Sequence, residues 1–156
     1  MEVYEGRLQA KGYKIAIILS RFNQFISGRL LEGALEALKK LGAEEKDLTI
    51  YKVPGSFEIP FLAKKIAARK EVDGLLCLGA LIRGDTPHFD FLSAEVTKGL
   101  AQVGLEEGIP ISYGILTVDT IEQGIERAGT KAGNKGYDAA FALVEMLNLL
   151  RDAKLS

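Results

Sequence analysis

Four stretches of strand length, rich in apolar residues, are spaced along the chain, and helical patterns separate them. Residues 14–19 (KIAIIL) form the first run; continuous apolarity fits a parallel strand covered on both faces. Ile26, Leu30, Leu31, Ala34, Leu35, Leu38 and Leu41 then recur at helical spacing, and Gly42 stops that helix. Residues 48–53 (LTIYKV) read as a second strand, which leaves through a Pro- and Gly-bounded turn into a helix over about 59–69. Asp73 and Gly74 lead into a third strand over 74–79. A helix from Pro87 to about Glu107 follows, weakened at Gly99 and Gly104. Residues 111–117 (ISYGILT) predict a fourth strand. Thr120, with Gln123 three positions on, has the form of a capping box for a short helix that ends near Gly129.

The last helix is predicted from 134 or 135 to 151. Its polar positions Asp138, Glu145, Asn148 and Asp152 make only a narrow stripe, so it needs two apolar partners. One is its own sheet and the other is expected to be a neighbouring subunit, unless Met146 or Leu149 simply faces water. Residues 2–9 alternate in part and precede Gly12; they read as an N-terminal arm strand able to pair with this subunit or a neighbour. The order predicts one domain over residues 1–156. Its class is α/β, a three-layer α/β/α sandwich on a four-stranded parallel sheet, flavodoxin-like, with right-handed crossovers.

Composition narrows the function. Twenty basic against 21 acidic residues give a net charge of -1, which argues against a broad nucleic-acid or anionic-membrane surface. Cys77 is the one cysteine and lies inside the third apolar run, so no internal disulfide is possible and a core role is favoured. No Cys/His cluster suggests a metal site. The N-terminus reads as neither signal peptide nor membrane span, and a reducing cytoplasmic setting follows by default.

Ligands of open α/β sheets bind beyond the carboxyl ends of the strands. The segments there are 20–23, 54–58, 80–88 and 117–120. The richest stretch is 78–91 (LGALIRGDTPHFDF), where a strand empties into a helix start with Thr86 as capping hydroxyl and Pro87 at the first helical position. His88, the only histidine, sits in that opening turn and suggests proton transfer beside an anion site; an ordinary surface histidine is the plain alternative. Phe22 can stack on a flat heterocycle or pack onto its own helix. Asn23 can bind a ligand, though capping suits it better. Ser56 and Glu58 flank Phe57 and offer contacts to a polyol or ring amide, or else cap a helix. Residues 84–86 can cradle a phosphate, although the Asp85 carboxylate would repel one unless only its backbone faces the ligand. Arg127, Lys131 and Lys135 are the cations that could offset it, and the planar fork of Arg127 suits phosphate best. No Walker loop or dinucleotide fingerprint occurs.

Four stretches together, SRFN at 20–23, VPGSFEIP at 53–60, GALIRGDTPHFDF at 79–91 and RAGTKAGNKG at 127–136, resemble the lumazine synthase family over essentially the whole chain. The resemblance implies condensation of 5-amino-6-(D-ribitylamino)uracil with 3,4-dihydroxy-2-butanone 4-phosphate, without metal or redox cofactor. By motif, Phe22, Asn23, Ser56, Phe57 and Glu58 would bind the pyrimidine and its ribityl chain. Ala80, Leu81 and Ile82 would hold the ring, partly by backbone. Asp85 and Thr86 would meet the phosphate-bearing substrate with Arg127 on the phosphate, and His88 would move protons. Tyr113, Arg127 and Lys135 would come from the adjacent subunit. Phe57 stands where relatives can carry tryptophan, and Tyr113 where phenylalanine is familiar. The resemblance also implies a pentamer, here expected to close into a 60-subunit cage with riboflavin synthase as a conceivable cargo. A non-catalytic flavin- or pterin-binding module, a structural shell protein and a Schiff-base enzyme using Lys135 are the rival readings.

Overall fold

The computed structural model describes residues 1–85, 87–129 and 133–156. Four parallel strands, β1 (Ile15–Ser20), β2 (Leu48–Val53), β3 (Gly74–Ile82) and β4 (Ile111–Val118), lie in the order β2-β1-β3-β4. Helices α1 (Gln24–Lys40), α2 (Ile59–Arg69), α3 (His88–Glu107), α4 (Ile121–Arg127) and α5 (Lys135–Asp152) connect and follow them. The three-layer α/β/α, flavodoxin-like arrangement is therefore as the apolar pattern predicts.

Period-2 alternation within the strands decides which helix each residue meets. Ile15, Ile17 and Leu19 join Leu76 and Leu78 against Ala34 and Leu38 of α1 and Ala140 and Leu143 of α5. Ala16 and Ile18 join Leu75 and Cys77 against Ile59 and Ala63 of α2 and Val96 and Leu100 of α3. With both faces covered, β1 is buried at every position, as its unbroken apolar run requires. β2 differs: it is an edge strand, and Thr49, Ile50, Tyr51 and Lys52 are exposed.

Two expectations change. The N-terminal arm has no ladder partner in this protomer; residues 2–9 run irregularly against α5. The reason is Asn148, assigned by pattern to the polar stripe of α5 but in fact buried. Its amide donates to the Arg7 and Gln9 carbonyls at 2.7 and 2.8 Å and accepts from the Tyr13 hydroxyl at 2.8 Å. Those carbonyls are thus satisfied by one side chain, and an Arg7–Asp152 fork with both bonds at 3.0 Å closes the strap. The outward side of α5 keeps Met146 exposed, and Leu149 and Leu150 are half-buried.

In this strand order, β1 leads outward to β2 on one side while β3 and β4 continue on the other. The chain exits from β1 and β3 therefore part at a topological switch point, where a crevice forms outside the strand ends.

Candidate active site

The crevice is real and measures about 300 Å³. Phe22, Asn23, Gly55, Ser56, Phe57, Leu81, Ile82, Gly84, His88, Phe89 and Leu92 line it, from the exits of β1, β2 and β3 and the first turns of α3.

The β1 exit is held by Asn23, which lies in the left-handed region at φ 60 and makes no side-chain cap on α1. The capping role expected of it is not realised. Instead its Nδ2 donates to the Ala80 carbonyl at 2.9 Å, joining the β1 and β3 exits across the switch point. Asparagine tolerates this backbone better than most residues. The turn fixes Phe22 outward, with its ring 67% exposed at the mouth of the crevice. A large apolar ring facing water beside a cleft is suited to covering a flat ligand.

The β2 exit runs through Pro54 and Gly55 into a 3₁₀ turn over Ser56–Glu58. Ser56 is buried, and its Oγ has no hydrogen-bond partner among the described residues. A hydroxyl in that condition is stabilised by a ligand or water that can pair with it. Gly79 makes the close approach possible: a Cβ there would lie 2.9 Å from Ser56 Oγ and 3.2 Å from Ser20 Cβ. Phe57 is exposed and borders both this crevice and an adjoining depression of about 440 Å³, which Glu58 lines with Pro60, Phe61, Glu95 and Val96. Glu58 therefore opens beside the His88 crevice, and it makes no side-chain cap on α2.

From β3, Ala80 is wholly buried and offers its carbonyl to Asn23, while Leu81 and Ile82 form the apolar wall. Asp85 is exposed and outside that lining, and Thr86 and Lys131 lie outside the described residues. Pro87 occupies the N-cap of α3, one position earlier than expected, so His88 is the first helical residue. Its imidazole stands at the crevice where the positive end of the α3 dipole favours an anion.

The structure does not bring Tyr113, Arg127 or Lys135 to this crevice. Tyr113 pairs with Cys77, three rungs short of the Ala80–Leu116 rung and so about 10 Å from it along the strands. Its hydroxyl shares a 2.9 Å hydrogen bond with Thr97. Burial pushes the phenol up from its ordinary range, against the opposing effect of that hydrogen bond, so it stays neutral. Tyr113 and Lys135 line a separate, largely apolar groove of about 760 Å³, with Leu105, Pro110, Ile111, Ala142 and Met146 among its walls. Lys135 is exposed there, without the desolvation that an amine nucleophile needs. Arg127 is exposed at the end of α4.

Sequence reasoning missed Phe89 and Leu92 in the lining. Their spacing of three in the first turns of α3 was a usable signal, since it puts both on one side of the helix. Among the described residues no three His, Cys, Asp or Glu side chains converge on a metal-sized position, and no helix is long and apolar enough to cross a membrane.

The family model for 6,7-dimethyl-8-ribityllumazine synthase matches residues 12–151. A protein of that name from Syntrophus aciditrophicus is 60% identical over 149 residues, which span 96% of this chain and 97% of the relative. Another from Clostridium kluyveri is 57% identical over 152 residues, spanning 97% and 99%.

Proposed function

The chain belongs to the 6,7-dimethyl-8-ribityllumazine synthase family, and from that premise we propose that the crevice between the β1 and β3 exits is one half of its active site. The protein is a transferase of riboflavin biosynthesis. It condenses 5-amino-6-(D-ribitylamino)uracil with 3,4-dihydroxy-2-butanone 4-phosphate and releases 6,7-dimethyl-8-ribityllumazine, phosphate and water. The observation that carries the site assignment is that residues from three chain segments, Phe22, Ser56 and Phe57, and His88, converge on a single apolar-walled crevice.

In this reading Phe22 covers one face of the pyrimidine. Leu81 and Ile82 hold it from below, and Asn23, Ser56 and Glu58 take its polar edge and ribityl hydroxyls. Asp85 and Thr86 border the phosphate-bearing substrate at the α3 N-terminus. The chemistry forms an imine from the pyrimidine amine, expels phosphate and closes a ring. An imidazole ring can both accept and donate the protons these steps move. His88 is placed to do so. Much of the acceleration comes from holding two reactants together, an effect that reaches roughly 7–11 kcal/mol in favourable systems.

The second half comes from an adjacent copy, which supplies Tyr113, Lys135 and Arg127. What supports this is the separation of these residues from the His88 crevice, together with the apolar groove where Tyr113 and Lys135 lie. A guanidinium on the phosphate supplies the cation that the protomer's own crevice lacks among its described lining residues. The family implies an oligomer of this chain; our reading is a pentamer closing into a 60-subunit cage, able to hold riboflavin synthase as cargo. Residues 1–156 act as one domain within it.

Mixing the purified protein with both substrates tests the reading. Lumazine absorbance should develop only when protein and both substrates are present. A folded protein that forms no lumazine would overturn it, and a sedimentation coefficient for a particle of only five or ten subunits would reject the cage.

A further inference from the structure

Arg83 follows the last residue of β3 and is absent from the lining of the crevice. Its backbone N–H donates to the Val118 carbonyl at 2.9 Å. Its Nε donates to Asp119 Oδ1 at 2.9 Å, and its Nη1 lies 3.1 Å from Asp90 Oδ1. The guanidinium stands over the Phe89 ring, 4.6 Å from its centroid. One side chain thus ties together the ends of β3 and β4 and the first turn of α3, where His88, Phe89 and Asp90 are consecutive. Pro87 at the N-cap of α3 offers no side-chain hydrogen bond, and this clamp is a polar restraint on the opening turn.

Phe89 separates two depressions. On one side is the crevice with His88; on the other is a polar trough that holds Arg83, Asp90 and Asp119. Arg83 therefore acts from behind the wall rather than on the substrate. Both of its carboxylate partners are more than half exposed, and ion pairs of that kind contribute little to global stability. The clamp fixes where a turn sits more than it holds the fold together.

We propose that Arg83 is a positioning residue for the known reaction: it sets the first turn of α3, and through it the place of the His88 imidazole in the crevice. The proposal rests on the reading of His88 as the proton-transfer group. Catalytic groups must be held within about half an ångström of productive geometry, and a misplacement of about 1 Å can reduce rate about 100-fold.

The test is a kinetic cycle of Arg83→Met and His88→Ala, singly and together, on the assembled enzyme. Methionine keeps the length and the contact with Phe89 but removes the fork. Arg83→Met should lower kcat about 10-fold, with KM for both substrates within about twofold. In the His88→Ala background it should cause no further loss. Asp119→Asn, which leaves Arg83 in place, should reproduce part of the kcat loss and serves if Arg83→Met does not fold. An equal loss in both backgrounds, or a raised KM at unchanged kcat, would overturn the proposal. His88→Ala with undiminished kcat would instead remove the reading on which it rests.

Discussion

Phe22→Ala removes a large exposed apolar surface at the mouth of the crevice and separates a binding role from a folding role. The ring is 67% exposed in the protomer, so about a third of its surface is covered by its own chain. Fully burying such a side chain is worth about 1.5–3 kcal/mol, so truncation should destabilise the protomer by only about 0.5–1 kcal/mol. In a chain of this length that moves Tm by roughly 1–4 °C. Stacking of a heterocycle on an aromatic side chain is worth about 1–3 kcal/mol. Loss of the ring should therefore weaken the pyrimidine substrate roughly 5- to 150-fold. Calorimetric titration with 5-amino-6-(D-ribitylamino)uracil measures this directly, and KM for the butanone phosphate is the internal control. If pyrimidine affinity stays within twofold while Tm falls by many degrees, Phe22 packs the fold and does not cover the ligand.

Three further outcomes follow from the same geometry. Arg127→Ala should raise KM for the phosphate substrate roughly 10- to 100-fold, the worth of a hydrogen bond to a charged group, with pyrimidine affinity kept; an unchanged KM in steady-state assays refutes the assignment. Gly136→Ala should lower the unfolding free energy by about 1–3 kcal/mol, read as a lower denaturant midpoint, because its Cβ would collide with the Leu30 carbonyl oxygen where α5 meets α1; unaltered unfolding would refute that contact. Cys77 is fully buried and desolvation pushes its thiol up to about 12, so a thiol reagent at neutral pH should label it only on unfolding; rapid native labelling would contradict the burial.

The sheet was legible because each strand is a local stretch rich in apolar residues, and all four end in segments with unusual residues. Phe22, Ser56, Phe57 and His88 could be named for the same reason: each follows a strand, and strand ends gather at one edge of a parallel sheet. What escaped depends on partners far away in the chain. Asn148 reads as a surface residue until the arm, 139 and 141 positions earlier, brings it two carbonyls. Asn23 reads as a cap until the β3 exit supplies Ala80, 57 positions later. Arg83 has Phe89 and Asp90 close by in the chain, but its partner Asp119 is 36 positions away and meets it only after β3 and β4 pair, so the clamp as a whole has no local signal. β2 carries apolar residues at several positions, yet four of its six residues are exposed at the sheet edge, where only strand order places it.

The central claim is that His88 from one copy and Arg127 from the next serve the same cleft. Co-assembly of His88→Ala and Arg127→Ala chains in equal amounts tests it most directly. Random mixing in a cyclic ring would pair an intact imidazole with an intact guanidinium at about one site in four, so lumazine formation should recover to about a quarter of the unmodified rate. If both residues of a working site belonged to one chain, no mixed particle would contain an intact site, and activity, assayed with the phosphate substrate below its KM, would stay at the average of the two impaired parents.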